Sequence, residues 1–427
     1  MDVAAEQRRA RSGDVGGASG ATRRVFLLAL AGGVAGAGGL LAGCGPSPAA
    51  GSAAAGASAP APSSSSAPPV RVSLAVDGVD AAAAGDVTST RPVVRPTVSG
   101  GALQSVVVTA ADGTQVAGAS AADGAWSPAE ALDRGASYTA VATAAGAGEG
   151  AGGQPVSARL SFTVAGADQV AGVKMMPLDG EVVGVGMPVA LIFAVPVPVA
   201  DRAGVTGAVS VSTKAPDGSA VEGAWRWVTD SEVHWRPRVY WPAGTAVSVK
   251  APMTQVRVGG RWGSSDRAAD FSVGDAHVST ADTDSHQMTV RVNGAVARVI
   301  PISAGREDAD PAFVTRSGVH LVLEKHADFL MDGRTVGQDY ATQVKWATRI
   351  ANSGEFVHGA PWSVAAQGHR NVSHGCLNVS DANAKWFFDL SRRGDVVEVT
   401  GTDRAMELTN GLGDWVLSWE QWTAPQT

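Results

Sequence analysis

The residues of this chain that could do chemistry concentrate in one stretch, residues 357–380. It holds Cys376, one of two cysteines in the chain, and three of the eight histidines, His358, His369 and His374. A thiol becomes a nucleophile when a base removes its proton, and the pKa of imidazole suits that task near neutral pH. Small residues flank the thiol, so the backbone can approach a substrate carbonyl closely. The stretch therefore predicts a cysteine nucleophile with a histidine base.

The same residues allow two other interpretations. A lone cysteine is usually a small buried hydrophobe, a lone histidine is usually structural, and both side chains also ligate zinc. Against a zinc site, a single residue separates His374 from Cys376, so the two side chains are not expected to converge on one ion. The chain also has no Cys-x-x-Cys or His-x-x-x-His pair to complete a tetrahedron. The residues alone favour a nucleophile and leave zinc and a buried core open.

Two segments of this stretch resemble the signature of a known enzyme family. His358-Gly-Ala-Pro-Trp362 is followed by Ser373-His-Gly-Cys-Leu-Asn378. The pattern is similar to that of the L,D-transpeptidases, the YkuD-type cysteine enzymes of bacterial cell walls. In that family a His-Gly or His-Ser pair precedes Ser-His-Gly-Cys by a dozen or so residues. The resemblance covers residues 276–400 as a catalytic domain. The whole layout resembles mycobacterial-type lipoproteins of the family with two immunoglobulin-like domains.

The resemblance implies a role for most residues of the signature. Cys376 is the nucleophile, and His358 is the base that takes the thiol proton and returns it to the leaving amine. The backbone carbonyl of Gly359 fixes the histidine tautomer, and the serine found there in many relatives acts through the same main-chain group. Backbone N–H groups of Gly375 and Cys376 form an oxyanion site, which is worth a few kcal/mol in other acyl-transfer enzymes. His374 shapes this turn.

The resemblance also implies contacts with the substrate. The residues expected to make them are Met331, Tyr340, Ser353, Gly354, Trp362, Ser373 and Asn378. Residues 324–342 are expected to form a lid, and Gly333 and Gly337 permit hinge motion there, although glycine in a loop is equally ordinary. A lid that excludes water favours acyl transfer over hydrolysis. His369 has only a local role on this interpretation.

The implied reaction crosslinks peptidoglycan tetrapeptide stems. Cys376 attacks the carbonyl of the third-position diamino acid and expels the terminal D-alanine, and the side-chain amine of a second stem resolves the thioester. The resemblance implies no cofactor and no metal, and it implies that carbapenems acylate Cys376. Three alternatives are an L,D-carboxypeptidase that uses water as the acceptor, a non-catalytic wall-binding lipoprotein and a zinc-dependent amidase.

Composition limits the other possibilities. At 427 residues the chain predicts about three domains. Its net charge of −7 argues against a nucleic-acid partner. Two cysteines cannot form a disulfide framework, and no disulfide is expected because each cysteine has a separate role.

The N-terminal residues predict export and a lipid anchor. Residues 22–28 contain an arginine pair before an apolar run, a pattern that resembles a twin-arginine export signal. The run ends in Leu41-Ala-Gly-Cys44, which resembles a lipobox whose cysteine is acylated, so residues 1–44 are expected to be an export signal. Residues 45–69 are almost entirely Ala, Gly, Ser and Pro, which predicts a disordered tether. The expected location is the outer face of the cytoplasmic membrane.

Two segments, 70–165 and 166–275, each predict a β-sandwich, and the family resemblance implies that both are immunoglobulin-like, so the expected fold is mainly β and multidomain. Short β-branched or alternating runs predict strands at 70–76, 105–109, 189–193, 209–212 and 246–250. A faint repeat supports two copies, since Trp126-Ser-Pro128 and Trp235-Arg-Pro237 each precede a glycine by the same nine residues. Spacers are favoured over ligand-binding modules. The tryptophan cluster of the second segment is expected to be core rather than a sugar platform.

The catalytic segment, 276–400, predicts a mixed, β-rich domain. Asn293-Gly294 between two apolar runs predicts a hairpin. Further strands are expected at 319–323, 355–358 and 396–399, and helices at 339–350 and 380–390, with Gly394 as the stop signal that follows the second one. In the tail, residues 401–427, Trp415, Trp419 and Trp422 are spaced as one face of a helix, which we expect to pack on the catalytic domain.

Overall fold

The computed structural model describes residues 68–77, 79–80, 87–146, 154–308, 310–336 and 341–426. The predicted export signal with Cys44, nearly all of the predicted tether, Gly337 and Tyr340 lie outside the described residues. All the described residues belong to one compact unit, Ser66–Thr427. No helix within them has the length and apolar character that crossing a membrane requires.

The strands between residues 71 and 164 form a β-sandwich. They are β1 (Arg71–Val76), β2 (Val79–Asp80), β3 (Val87–Thr88), β4 (Val94–Ser99), β5 (Gly101–Ala110), β6 (Gly118–Ser120), β7 (Trp126–Pro128), β8 (Ser137–Gly146) and β9 (Val156–Val164). One sheet has the order β2-β1-β4-β7-β6 and the other β3-β9-β8-β5. Alternation along the strands points one set of side chains inward, and Leu74, Trp126 and Phe162 are buried between the sheets.

A second sandwich follows between residues 170 and 273. Its strands are β10 (Val170–Ala171), β11 (Val173–Met176), β12 (Val182–Val183), β13 (Val189–Phe193), β14 (Ser210–Lys214), β15 (Gly223–Trp227), β16 (Glu232–Pro237), β17 (Ala246–Ala251), β18 (Arg257–Val258), β19 (Arg261–Gly263) and β20 (Arg267–Val273). The main sheets are β11-β13-β16-β15 and β12-β20-β17-β14, and β10-β19-β18 form a small third one. A helix that the sequence did not predict, α1 (Val199–Ala208), connects β13 and β14.

The tryptophans of the second sandwich are core residues, as expected. Trp227, Trp235 and Trp241 are buried in one apolar cluster, and the ring centroids of Trp235 and Trp241 lie 5.3 Å apart. Trp225 is partly buried against the same cluster. Buried tryptophans contribute a large apolar area to the stability of the sandwich.

The described residues between 277 and 400 form two further sheets and one α-helix. The strands are β21 (His277–Asp282), β22 (Gln287–Val292), β23 (Ala295–Pro301), β24 (Gly318–Leu321), β25 (Glu324–Asp332), β26 (Ala341–Arg349), β27 (Phe356–Gly359), β28 (Leu377–Val379) and β29 (Val396–Thr400). Their orders are β23-β22-β21-β29-β24 and β25-β26-β27-β28. The predicted hairpin joins β22 to β23, and Asn293 and Gly294 have the positive φ angles, 50° and 84°, of a type I′ turn.

The predicted helix at 339–350 is wrong, because the described part of this segment forms strand β26, Ala341–Arg349. The run contains Val344 and Thr348, which suit a strand, but its apolar spacing also fits a helix, and periodicity does not separate the two well. Pairing with β25 on one side and β27 on the other satisfies the backbone of the segment and overrides the local preference. Trp346 has a φ of 55° where the register with β27 shifts, which breaks the simple alternation that would have revealed a strand.

The second predicted helix is confirmed as α2 (Asp381–Leu390). Ser380 caps it by accepting a hydrogen bond from the Asn383 N–H over 3.3 Å. The helix ends at Leu390, as predicted, and Gly394, which has a φ of 88°, lies in the turn into β29. The helix packs against β26 and β27 and supports the sheet that carries the site.

The tail, residues 401–426, contacts both the second sandwich and the two sheets of residues 277–400, which are called the catalytic sheets below because the sequence predicts a catalytic domain there. Near its start the Met406 N–H donates to the Ser317 carbonyl over 2.7 Å, as expected for a tail on the catalytic domain. Its end instead packs on the second sandwich, where Trp422 Nε1 donates to the Ala224 carbonyl over 2.9 Å. The three tryptophans do not share one helix: α3 (Trp419–Thr423) contains two of them, and Trp415 belongs to a separate 3-10 turn.

One apolar core joins the second sandwich to the catalytic sheets. Leu321 and Val396 of the catalytic segment are buried in the same cluster as Val185 and Met187. Gly186 is needed at this contact, since a side chain there would overlap with Leu321. Trp415 Nε1 donates to the Gly186 carbonyl over 2.7 Å. The catalytic sheets are therefore held by the second sandwich and the tail together.

Candidate active site

Two neighbouring parallel strands bring His358 and Cys376 onto one face of a sheet. In the register of β27 and β28, Val357 lies opposite Leu377 and His358 opposite Asn378, and Cys376 directly precedes β28. Val357 and Leu377 are fully buried in the core between α2 and the sheets. Because side chains alternate along a strand, His358 and Cys376 point to the other face. Both line one cavity of about 380 Å³.

The hydrogen bond of His358 fixes which ring nitrogen can act as a base. Its Nδ1 lies 2.9 Å from the carbonyl oxygen of Gly359. A carbonyl only accepts, so Nδ1 carries the proton and Nε2 has the free lone pair. Burial lowers the pKa of His358, although the hydrogen bond to Gly359 and the charge of Asp381 oppose this effect. The imidazole is therefore neutral at pH 7 and able to take a proton.

The thiol of Cys376 is held in its neutral form at rest. Burial raises its pKa to about 12; the Glu355 charge acts in the same direction, while a backbone hydrogen bond from Phe356 and the Arg349 charge oppose it. Sγ donates to the carbonyl oxygen of Gly354 over 3.5 Å. A thiol of this kind reacts when a base removes its proton as it attacks, which is a task that a neutral His358 can perform.

Buried hydroxyl groups fix the turn before the thiol. Gly375 has a φ of 125°, which favours glycine, and its carbonyl accepts from Thr315 Oγ1 over 2.9 Å. The Ser373 hydroxyl donates to the Cys376 carbonyl over 2.6 Å and accepts from the Gly375 N–H over 3.1 Å. In this conformation the Gly375 N–H is already bonded to the serine hydroxyl, and its role at an oxyanion site stays a prediction. Ser373 accordingly serves the turn, although it also lines the cavity.

The other two histidines of the stretch differ in their surroundings. The ring of His374 meets that of Phe313 edge to face, with centroids 4.4 Å apart, and lines the cavity. Burial lowers the pKa of His374, and the charge of Arg306 acts in the same direction. His369 is exposed and does not line this cavity.

Apolar side chains form one wall and the rim of the cavity. Met331 of β25 and Val344 of β26 are buried beside the thiol, so the antiparallel pair β25 and β26, which contains most of the described part of the predicted lid, forms a wall of the site. Trp362 stands at the rim with 59% of its surface exposed, and its ring centroid lies 6.1 Å from that of His358. An exposed tryptophan beside a base can stack on a substrate.

Two predicted contact residues have structural partners in the structure. The amide of Asn378 donates to Ser363 Oγ over 3.2 Å, while the residue also lines the cavity. The Ser353 hydroxyl accepts from Asn410 Nδ2 over 2.9 Å and from Arg316 Nη1 over 3.1 Å. Ser353 therefore links the site to the C-terminal tail, and its contact with substrate stays a prediction.

A second cavity, of about 330 Å³, lies on the Gly354 side of the thiol. Its lining includes Ser353, Gly354 and Gly333, and Met331 lines both cavities. The acceptor of the thiol hydrogen bond thus belongs to the second cavity, while the thiol itself lines the first. The thiol therefore lies close to the boundary between the two cavities.

Several cavity residues were not predicted from the sequence. They are Val344, Ser363, Ala365, Ala366, Arg370 and Val372, whereas Thr342 belongs to the predicted lid. Arg370 is an exposed cation at the cavity, and its charge is the one signal that could have identified it. Among the described residues, no group of three or more His, Cys, Asp or Glu side chains is placed to hold a metal ion.

Comparison with known protein families finds a match for the catalytic segment and another for the region of the two sandwiches. Residues 276–399 match the L,D-transpeptidase catalytic domain family, YkuD, and residues 84–257 match a bacterial Ig domain. The chain is 42% identical over 340 residues to L,D-transpeptidase 2 of Mycobacterium tuberculosis strain CDC 1551 / Oshkosh, which spans 78% of this chain and 80% of that protein. The chain belongs to the L,D-transpeptidase family. It is also 35% identical to L,D-transpeptidase 5 of M. tuberculosis strain H37Rv, over 84% of this chain and 77% of that protein.

This L,D-transpeptidase also matches a solved structure, that of LD transpeptidase LdtMt1 in complex with imipenem. The two are 36% identical, the match covers 54% of this chain and all of that one, and the TM-score is 0.46. The Ig match runs across residue 165, where the sequence predicts a boundary, so the limits of the two sandwiches as domains remain a prediction. The enzyme combines a YkuD catalytic domain with an immunoglobulin-like region, as the signature around Cys376 indicated.

Proposed function

We propose that the enzyme joins two peptidoglycan stems at their third-position diamino acids through a thioester on Cys376. The donor is a tetrapeptide stem, and attack on the third-position carbonyl forms the C–S bond and breaks the amide bond to the terminal D-alanine. The amine of a second stem then forms the new amide and releases the thiol. The observation that carries this proposal is a neutral His358, protonated on Nδ1 by its bond to Gly359, in one cavity with the thiol.

His358 moves the protons of both half-reactions. Its Nε2 takes the thiol proton as sulfur attacks and gives it to the nitrogen of the departing D-alanine. In the second half-reaction it takes a proton from the attacking amine and returns it to sulfur. No proton is gained or lost over the cycle. Main-chain N–H groups near Cys376 stabilise the oxyanion, and the Gly375 N–H joins them only if the Ser373 hydroxyl releases it.

The charge and shape of the first cavity suit a peptide that ends in a carboxylate. Arg370 is a cation at its lining, and an arginine guanidinium pairs well with a free carboxylate such as that of the terminal D-alanine. Trp362 offers an apolar face to the stem beside the base. Two cavities meet at the thiol, so donor and acceptor can approach from different sides. Met331 separates them and would contact both stems.

Carbapenems are proposed to acylate Cys376. The structure of one relative is described as a complex with imipenem, and that of L,D-transpeptidase 3 of M. tuberculosis as a complex with a faropenem-derived adduct. A strained lactam carbonyl needs the same thiolate and the same base as the stem carbonyl. This chain presents both groups in one cavity.

The proposal places the enzyme in the cell envelope, anchored by a lipid on Cys44. It is supported by the Leu41-Ala-Gly-Cys44 sequence, the arginine pair upstream and the Ala/Pro/Ser tether that follows. Labelling of growing cells with a radioactive fatty acid tests it, with Cys44→Ser as the matched variant. Label on the native protein and none on the variant supports the anchor, and equal absence of label refutes it.

The enzymatic proposal is tested with a synthetic tetrapeptide stem, offered with and without an acceptor stem, and mass spectrometry of protein and products. The native protein should carry a tripeptide thioester on Cys376, release D-alanine and form the dimer. Cys376→Ala should form neither adduct nor product, and His358→Ala should acylate at least a hundredfold more slowly. Tripeptide without dimer, even with acceptor present, would instead identify an L,D-carboxypeptidase. A lack of reaction together with binding to cell walls would identify a non-catalytic lipoprotein.

A further inference from the structure

A buried carboxylate that the mechanism does not use lies directly behind the nucleophile. Glu355 is only 4% exposed, and its Cγ lies 3.8 Å from the point where a Cβ on Gly375 would stand. It directly follows Gly354, whose carbonyl accepts the Cys376 thiol. One turn, residues 353–355, therefore supplies both the acceptor of the thiol hydrogen bond and a negative charge beside it.

The position of Glu355 is fixed by several bonds. Oε1 accepts from the Arg316 backbone N–H over 3.0 Å and lies 3.4 Å from Arg316 Nη1. Oε2 accepts from the Ser353 hydroxyl over 3.3 Å. The C-terminal tail adds a further constraint, because Asn410 Oδ1 accepts from the Ser353 N–H over 2.8 Å. The carboxylate cannot turn towards solvent without breaking this network.

The titratable groups around the thiol come from two neighbouring strands, β26 and β27, and from the residue just before β27. Glu355 directly precedes β27, and Arg349 at the end of β26 lies with its guanidinium 4.3 Å from the ring centre of Phe356. Phe356 packs directly with Cys376. His358 lies further along β27 on the same face as the thiol and is neutral. Glu355 disfavours a thiolate and Arg349 favours it, so the two charges have opposite effects on the same sulfur.

We propose that Glu355 is a positioning residue that adds to the effect of burial in keeping resting Cys376 protonated and bonded to Gly354, so that the thiolate forms only when His358 takes the proton during attack. It acts through the thiol and does not touch the substrate. A neutral thiol resists oxidation and alkylation, which matters for a nucleophile that waits outside the cytoplasm. The inference rests on the proposed role of Cys376 as nucleophile.

Glutamine at position 355 separates charge from structure. Glu355→Gln keeps the length of the side chain, its carbonyl can still accept from the Arg316 N–H, and Ser353 Oγ can accept from the new amide. Arg349→Gln removes the opposing charge. Glu407→Gln is the matched control, because Glu407 also contacts Arg316, at 3.6 Å, but is 61% exposed and does not adjoin the turn.

The experiment measures alkylation of Cys376 by iodoacetamide from pH 6 to 10 on the full chain, with peptide mass spectrometry to separate Cys376 from Cys44. The rate at a given pH should be roughly three- to tenfold higher in Glu355→Gln and lower by a similar factor in Arg349→Gln. Glu407→Gln should match the native protein within a factor of two. Thermal unfolding of each variant reports loss of structure separately.

The alkylation rate is expected to change in opposite directions in the two variants only if charge acts on the sulfur. Loosening of the site would raise the alkylation rate in both. Equal rates in Glu355→Gln and the native protein, or faster alkylation in both variants, overturn the proposal. If Glu355→Gln does not fold, Arg349→Gln still decides: unchanged or faster alkylation contradicts the charge effect. The alkylation assay contains no stem peptide, so its outcome does not depend on whether the enzyme forms crosslinks. Failure of this proposal can therefore be distinguished from failure of the proposed function.

Discussion

The thiol of Cys376 donates its hydrogen bond to the Gly354 carbonyl over 3.5 Å, and within the described residues it makes none with His358. The resting site is therefore a neutral thiol and a neutral imidazole that share a cavity, rather than a preformed ion pair. A rotation of the thiol away from Gly354 must precede proton transfer. Substrate that fills the cavity can induce this rotation, which couples thiolate formation to binding.

The pH profile of acylation should reflect these two groups. His358 acts as a base only when neutral, and burial lowers its pKa, so the acid limb should lie below the ordinary histidine value of 6.5. The free thiol has a pKa of about 12, so no second rise should occur near the usual thiol value of about 8.5. Stopped-flow acylation by a carbapenem from pH 5 to 10 measures this. A rate that climbs with a midpoint near 8.5 would show that the thiol ionises independently of the histidine.

Asp381 should influence, through His358, the pH at which the acylation rate falls on the acid side of its profile, called the acid limb. Its charge raises the pKa of His358 against the effect of burial, so Asp381→Asn should move the acid limb to still lower pH. Gly359→Ala should do the same by another route, since its Cβ would overlap with Asp381 Oδ1 and displace the carboxylate. The same carbapenem profile measures both variants. Asp389→Asn, at the far end of α2, is the control and should leave the limb in place. A shift in Gly359→Ala alone would point to backbone damage rather than to charge.

The tail should depend on Arg236 for its attachment. This arginine is 1% exposed, and its guanidinium lies 4.4 Å from the ring centre of Trp415 and 4.8 Å from that of Trp422. Arg236→Ala leaves these rings without their cation and opens a cavity, so the free energy of unfolding should fall by roughly 3 kcal/mol. Arg238→Ala, an exposed neighbour paired with Glu222, should change it by less than about 0.5 kcal/mol. Urea unfolding followed by tryptophan fluorescence compares them, and similar losses in both would contradict the stacking argument.

A buried histidine at the same junction should make stability depend on pH. His234 lies 2.8 Å from both Asp414 and Glu232; burial opposes its charge, but the two carboxylates prevail and raise its pKa to about 9. The unfolded value is about 6.5, so the stabilisation is complete below that pH and is lost as pH rises through about 9. Stability should therefore fall by roughly 2–3 kcal/mol between pH 6.5 and 9.5.

Urea unfolding at pH 6.5, 8 and 9.5 measures the loss. His234→Gln should be less stable at pH 6.5, and its free energy of unfolding should depend much less on pH than that of the native protein. His369→Gln, an exposed histidine, should keep the native slope. An unchanged slope in His234→Gln would mean that another group carries the proton.

The site could be predicted where its determinants are local. The signature fixes His358 and Cys376 because strand, turn and strand follow within nineteen residues, and the type I′ turn at Asn293 is equally local. Strand β26 was mistaken for a helix because its partners, β25 and β27, decide its conformation. Glu355 was not singled out because its partner Arg316 lies 39 residues away, and nothing in either segment shows that they meet.

Trp362 should contribute to stem binding without affecting stability. Because 59% of its surface is exposed, the ring contributes little to the free energy of unfolding. It faces the cavity beside His358. Trp362→Ala should raise KM for the donor stem about tenfold, because a ring that stacks on a ligand is worth 1–2 kcal/mol, roughly, while the melting temperature stays within about two degrees. Val364→Ala, a nearby residue that is 51% exposed and outside the cavity lining, should leave KM unchanged. Steady-state release of D-alanine gives both constants. A loss confined to kcat would mean that the ring holds His358 in place rather than the stem.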